Sequence, residues 1–312
     1  MPSFTSPFAA RRGASPRVAG FAFLLMAMLG VALTACAPSA ASDPLQSMSI
    51  NGTSVSLSSY QQLLALFDAS AALQGSGSAG ALAWQSPADR QTLTSARTET
   101  INFFTNTTVI KQQLDAQHLT VTQQDINAAI AQLNAQIAQA RAQSASNPGN
   151  TGLKALVDAA TPDAIRLLAE QQAYTVVLAS KGSVPTVHAR GILVKTQADA
   201  NDTLAALNKG QDFATLARAR SLDAASAANG GDLGTVYPGQ FLPAFDTQVF
   251  KNMKGTGNLI VPLTSGYGVF QITSRSMSPL SALKNAQTQQ QYLTSWVTNV
   301  LIPQAKVDVF VS

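Results

Sequence analysis

The chain has 312 residues, 12% of them charged, a formal net charge of +4, two histidines and one cysteine. That length holds two domains or one ample core; a lone cysteine excludes a disulfide framework and a four-cysteine zinc site, and two histidines argue against a histidine-rich metal centre. Residues 1–35 contain Arg11, Arg12 and Arg17 and no acid, so they carry three of the four net charges. The rest is near neutral, whereas a nucleic-acid binder would keep a basic face after that subtraction.

The arginines precede an uncharged run of 18 residues, 18–35, which ends in Leu33-Thr34-Ala35 and then Cys36. A basic start, an apolar middle and small residues at the end describe a secretory signal. The cysteine at the cut resembles the lipobox of bacterial lipoproteins. That resemblance implies removal of residues 1–35 and lipidation of Cys36, with several acyl chains giving firm anchoring where one would not. An uncleaved membrane helix is the alternative, because the run reaches only the lower limit of a span.

Residues 36–47 are rich in Ala, Ser and Pro and read as a tether. Residues 48–55, with Asn51-Gly52 in the middle, predict a strand-turn-strand unit. Tyr60, Leu63, Leu64 and Phe67 then recur at helical spacing, and a Gly/Ser-rich break covers 75–80. A second helical stretch runs from Pro87 through Ile101, Phe104 and Ile110. Thr122 and Asp125 form a possible capping box, ahead of an apolar seam of Ile126, Ile130, Leu133 and Ile137 that faces a core. After a loop at 144–150, Thr161 and Pro162 open another helix, with Leu167, Leu168, Tyr174 and Leu178 on its buried side.

Beyond residue 183 the texture changes. Residues 184–194 read as a strand, Thr196 and Asp199 as a second capping box, and Lys209-Gly210 as the stop of that helix. A short helix follows at 213–219, Gly, Asp and Ser crowd 221–240, and a last strand of this region covers 267–273. A Gln-rich helix bearing Leu293, Trp296 and Val300 leads to Pro303, and 306–311 is strand-like.

Four blocks in this second region carry a specific pattern. They are Arg190-Gly191-Ile192-Leu193-Val194 ahead of the capped helix; Gly210-Gln211-Asp212-Phe213 with Leu216 and Ala217; Ser221-Leu222-Asp223 with the run 226–234 that contains Gly230-Gly231-Asp232-Leu233-Gly234; and Gly239-Gln240-Phe241-Leu242-Pro243-Ala244-Phe245. With the closing strand 266–272, and in register across residues 187–276, they resemble the parvulin family of peptidyl-prolyl isomerases. The resemblance implies a small, mostly antiparallel four-stranded sheet with surrounding helices. It implies that Leu233, Phe241 and Phe245 line a proline pocket. It puts Asp223 where the family has a Cys or Asp beside the reacting carbonyl, and Ser265 where a small polar residue borders the same site.

One departure stands out. The family carries two histidines side by side beneath the site, and here the positions are Gly191 and Gly268. His188, three residues before Gly191, faces the other side of a regular strand, and His118 lies in the helical region. Strand glycines cost stability and mark close backbone approach or a covering aromatic ring, for which Tyr267 and Tyr237 are the candidates.

The flanking regions resemble the chaperone-like module of extracytoplasmic foldases of the PrsA and SurA type, in which a C-terminal helix and strand return to complete the first domain. The expected fold is therefore α+β: a signal at 1–35, a tether at 36–47, a helical domain at 48–183, a parvulin domain at 184–276 and a returning helix and strand at 277–312. Two functions follow from the resemblances. One is a lipid-anchored isomerase of X-Pro bonds in secreted proteins at the bacterial cell envelope, weakened by Gly191 and Gly268. The other is a non-catalytic holdase for unfolded segments. Twisting an amide breaks no bond, so neither a metal nor a cofactor is required, and no nucleic-acid partner is implied.

Overall fold

The computed structural model describes residues 46–74 and 87–311. The expected signal, Cys36, nearly all of the tether and the break at 75–80 lie outside the described residues.

The first region opens with a hairpin, β1 (Gln46–Ile50) and β2 (Thr53–Ser56). Its two-residue turn has Asn51 at φ 49° and Gly52 at φ 83°, both in the left-handed region that a tight hairpin turn demands. Helices α1 (Leu57–Gln74), α2 (Pro87–Ala116), α3 (Gln123–Ser146), α4 (Thr151–Ala159) and α5 (Pro162–Lys181) follow. The start of α3 is a full capping box: the Thr122 hydroxyl accepts from the Asp125 N–H at 3.2 Å and the Asp125 carboxylate accepts from the Thr122 N–H at 2.8 Å. Those bonds hold the Asp125 carboxyl below its usual range. Helix α3 runs to Ser146, so the loop begins later than its composition suggests. Helix α4 is an addition, capped by the Asn150 side chain accepting from Leu153 N–H.

The second region comprises β3 (Ser183–Val194), α6 (Gln197–Asn208), α7 (Phe213–Arg220), the one-turn α8 (Ala224–Ala228), β4 (Asp232–Val236), the short α9 (Pro243–Asp246) running on into a π turn at Thr247–Asn252, β5 (Gly257–Leu263) and β6 (Gly266–Pro279). Thr196 and Asp199 form the second capping box. The chain closes with α10 (Ala286–Trp296), a second π turn at Val297–Leu301 and β7 (Val307–Val309).

Two antiparallel sheets result. One has the order β2-β1-β7, so the last strand returns to the first hairpin. Asn51 fastens this closure: its backbone N–H donates to Lys306 O, and its side-chain oxygen accepts from Lys306 N–H, each at 2.8 Å. The other sheet has the order β4-β3-β6-β5. Strands β3 and β6 pair along their whole length, from Ser183 opposite Pro279 to Val194 opposite Tyr267. Their lower ends extend as a two-stranded ribbon toward the helices, where the Gln117 side chain bonds both the N–H and the C=O of Ser183.

The alternation of β3 divides its burial between two faces. Ile192 and Val194 pack under α6 and α7 with Phe213 and Leu216. Val187 and Ala189 face the other way, into a cluster with Phe245, Val249, Phe270 and Ile272. The helices form two further cores, one around Met48, Leu63, Phe67 and Phe103, the other around Leu114, Leu178, Leu293 and Trp296. Among the described residues no helix is long and apolar enough to cross a membrane.

Candidate functional site

The glycine-rich run ahead of β4 is shaped by close backbone approach. Gly230 and Gly231 have φ 68° and 79°, and the Gly231 carbonyl accepts from Gly191 N–H at 2.8 Å. A β-carbon at Gly231 would lie 2.7 Å from Gly191 O and 2.9 Å from the Phe213 ring. Only glycine meets both demands. This turn aims Leu233 across the face of β3, where it packs in the cluster that holds Phe241 and Phe245.

The three residues expected to form an apolar pocket are therefore brought together. The rings of Phe241 and Phe245 lie 5.0 Å apart. Phe241 is half-buried, while Phe245 is fully buried, so Phe245 supports the pocket from beneath instead of opening to it. A third ring, Phe270 on β6, stands edge-on to both, 5.8 Å from Phe241 and 4.9 Å from Phe245. These separations and tilts are those that aromatic quadrupoles favour.

Phe270 also supplies the cover for the two strand glycines, which neither expected tyrosine does. Gly191 pairs with Phe270 across the strands, and Gly268 precedes it by two residues on the same face. A β-carbon at Gly268 would overlap Phe270 Cε2 and lie 2.7 Å from Cζ; at Gly191 it would lie 3.3 Å from Phe270 Cε1 and 2.9 Å from Leu233 Cδ1. Tyr267 belongs to the opposite face, against the α6 and α7 core, as its odd offset from Gly268 requires. Tyr237 is stacked on Tyr292, with centroids 4.8 Å apart. The signal for Phe270 was present in the period-two alternation of 266–272, and it was masked by a nearer ring on the wrong face.

The polar candidates sit at one end of the sheet. Leu222 N–H donates to Leu193 O at 2.7 Å, and the Ser221 hydroxyl accepts from Leu193 N–H at 3.1 Å, which fastens the loop to the end of β3. Asp223 follows at the start of α8, half-buried, its carboxylate accepting from the Ser226 hydroxyl at 2.6 Å. Ser265 is exposed in the two-residue turn between β5 and β6, just before Gly266, which abuts Val194. His188 is on the other face, 3.1 Å from Thr273 Oγ1 and 3.5 Å from the Asp232 carboxylate. Among the described residues no group of three or more His, Cys, Asp or Glu could hold a metal ion.

One buried carboxylate escaped the reading of the sequence. Asp246, next to Phe245, is fully buried and accepts from Gly239 N–H and from Asn299 Nδ2, each at 2.8 Å, through the same oxygen. Its other oxygen has no partner. Burial pushes its pKa up to about 6, against the pull of those two bonds. It ties the Phe241 loop and the Phe245 helix to the returning C-terminal segment.

A second concavity lies in the helical region. A cleft of about 400 Å³ is lined by apolar side chains such as Phe103, Leu133, Ile137 and Leu168, interleaved with the carboxamides of Asn102, Gln136 and Gln172. Glu99, raised above the usual carboxylate range by burial, is its one titratable side chain. The seam on α3 that reads as core-facing thus lines an open cleft in its middle turns.

The second region is an antiparallel four-stranded sheet with helices α6 and α7 on one face and an aromatic cluster on the other. Residues 169–276 match the family model described as a PPIC-type PPIASE domain, and this segment belongs to that family. The chain is 34% identical over 121 residues to a parvulin-like PPIase of Rickettsia bellii, covering 38% of this chain and 42% of that one. It is 37% identical over 91 residues to the foldase protein PrsA of Geobacillus kaustophilus, covering 29% and 32%. It is 33% identical over 119 residues to the chaperone SurA of Legionella pneumophila, covering 34% and 27%. The matched stretch spans less than half the length of each relative.

Proposed function

We propose that this chain is an extracytoplasmic foldase that catalyses cis/trans isomerisation of X-Pro bonds in secreted polypeptides. The observation that carries the reading is the gathering of Leu233, Phe241 and Phe245 into one cluster on one face of the sheet. Rotation of an X-Pro amide meets a barrier of about 18–20 kcal/mol and breaks no bond. The transition state is a twisted, less conjugated amide, so a catalyst has to hold the ring and surround the amide with groups that favour the twist. Leu233 and the half-buried Phe241 grip the prolyl ring, with Phe245 beneath. Asp223 and Ser265, carried by the loops at the Val194 end of β3, supply the polar border near the reacting carbonyl.

Gly191 and Gly268 remove the imidazole pair that would orient such a border, and catalysis is correspondingly slower than in a domain that keeps it. Cys36 anchors the chain by lipid to the outer side of a bacterial membrane, so that the clients are newly exported chains. The test is an isomerase assay on a model X-Pro peptide, in which the protein accelerates exchange and Phe241→Ala reduces the effect. A rate equal to the uncatalysed one removes the enzyme reading. Unchanged lipid labelling in Cys36→Ser removes the anchor.

The cleft among the helices favours a second reading, a holdase for unfolded segments. Apolar walls dotted with carboxamides suit an extended, uncharged peptide, whose side chains and backbone need both kinds of partner. Suppression of client aggregation without acceleration of X-Pro exchange is the outcome that selects it.

A further inference from the structure

We infer that Phe270 is a positioning residue of the proline site, which occupies the volume of the absent side chains at 191 and 268 and makes the base of the pocket an aromatic cradle. The inference rests on the isomerase-site reading above for the identity of the ligand, a prolyl ring, and on geometry for the rest. Both strands border one ring: a β-carbon at Gly268 would overlap the edge of Phe270, and one at Gly191 would press against it at 3.3 Å while meeting Leu233 at 2.9 Å. Phe270 is 4% exposed and touches both rings of the pocket, so it fixes the tilt of Phe241, the ring with a solvent-facing side.

Gly191, Gly268 and Phe270 act as a unit. With glycine at both strand positions Phe270 fills the space above β3 and β6, flanked by Leu233 and Leu263, and a smaller residue at 270 would let Phe241 fall into it. With any side chain at 268 the ring has no room where it now lies. A polar, titratable base is thereby exchanged for an apolar one whose ring faces carry partial negative charge. The ring C–H groups of a prolyl residue, polarised by the adjacent amide nitrogen, suit such faces. Recognition of proline then depends on shape and on aromatic surface, with no imidazole in contact.

The test uses the full chain in detergent and two readouts, thermal unfolding and affinity for a blocked Ala-Phe-Pro-Ala peptide against the same peptide with Ala in place of Pro. The wild type binds the prolyl peptide at least about tenfold tighter than the control, and Phe270→Leu, which stays folded, loses about tenfold in that affinity. Gly191→His with Gly268→His lowers the melting temperature by more than about 5 °C while Phe270 is present. Adding Phe270→Ala brings it back to that of Phe270→Ala alone and restores part of the prolyl affinity. The proposal is overturned if the two histidines cost as much without Phe270 as with it, if Phe270→Leu binds like the wild type, or if the wild type does not prefer proline. A wild type that prefers proline but leaves its isomerisation at the uncatalysed rate sinks the enzyme reading and keeps the cradle.

Discussion

The cleft among the helices and the aromatic cluster on the four-stranded sheet are made of different materials. The cleft is open, and its wall alternates apolar side chains, mostly aliphatic, with flexible carboxamides. The cluster is built on tilted and edge-to-face rings 4.9 to 5.8 Å apart, over backbone without side chains at Gly191 and Gly268. Flexible polar and aliphatic walls can re-pack around many sequences. Fixed rings select one shape. Under the proposed function, tolerance falls to the helical region and choice of residue to the sheet; Asp246 and the Tyr237–Tyr292 stack join the two.

The largest expected effect is on the side of fixed packing. Phe245 is fully buried between Phe241, Phe250 and Phe270, so Phe245→Ala should destabilise the sheet region by about 3–5 kcal/mol and abolish prolyl-peptide binding. Denaturant unfolding checks it; a loss under about 1 kcal/mol would mean that the rings are not close-packed. Next comes Gly268→Ala, a single methyl forced against Phe270, with an expected cost of about 1–3 kcal/mol from overpacking. Ordinarily a strand gains from losing a glycine, so a stabilised Gly268→Ala would break the account of the pocket outright. On the other side of the comparison, Leu133→Asp in the half-buried cleft wall should cut suppression of client aggregation by about fivefold. It should leave X-Pro isomerisation unchanged. If both activities fall together, the two concavities are one site.

Legibility followed the range of the forces involved. The capping boxes at Thr122 and Thr196, the Thr161-Pro162 start and the Asn51-Gly52 turn are decided within four residues, and all four are where the sequence puts them. Strand β4 was hidden in a glycine-rich stretch, because its five residues become a strand only by pairing with β3. Strand β5, which contains Pro262 and starts at Gly257, likewise takes its identity from β6. That Leu233, Phe241 and Phe245 come together was legible through block order, since they come from elements that local pattern alone does not place. Phe270 required the parity of a strand to be applied strictly: 268 and 270 share a face and 267 does not. Asp246 could not be read at all, because its burial comes from Gly239 and Asn299, the latter 53 residues away.

Asp246 offers the smallest but most directional test, on the joint between the two regions. Its folded-state pKa, about 6, lies above the ordinary aspartate value of 3.8 because burial disfavours the charge. Between those values the folded chain binds more protons at this site than the unfolded chain. The slope of stability with pH is therefore negative: this group's contribution is full below about pH 4, is lost as pH rises through 6, and is flat above. Asp246→Asn keeps an oxygen to accept from Gly239 N–H and removes the buried charge. It should raise the melting temperature by about 2–4 °C at pH 7.5, on the order of 1 kcal/mol after screening, and leave it unchanged at pH 4. Thermal scans across pH 4 to 8 on both proteins decide this. A variant equally destabilised at both ends would show that the Asn299 bond matters more than the charge, and the joint would then be a rigid hinge pin with no pH dependence of its own.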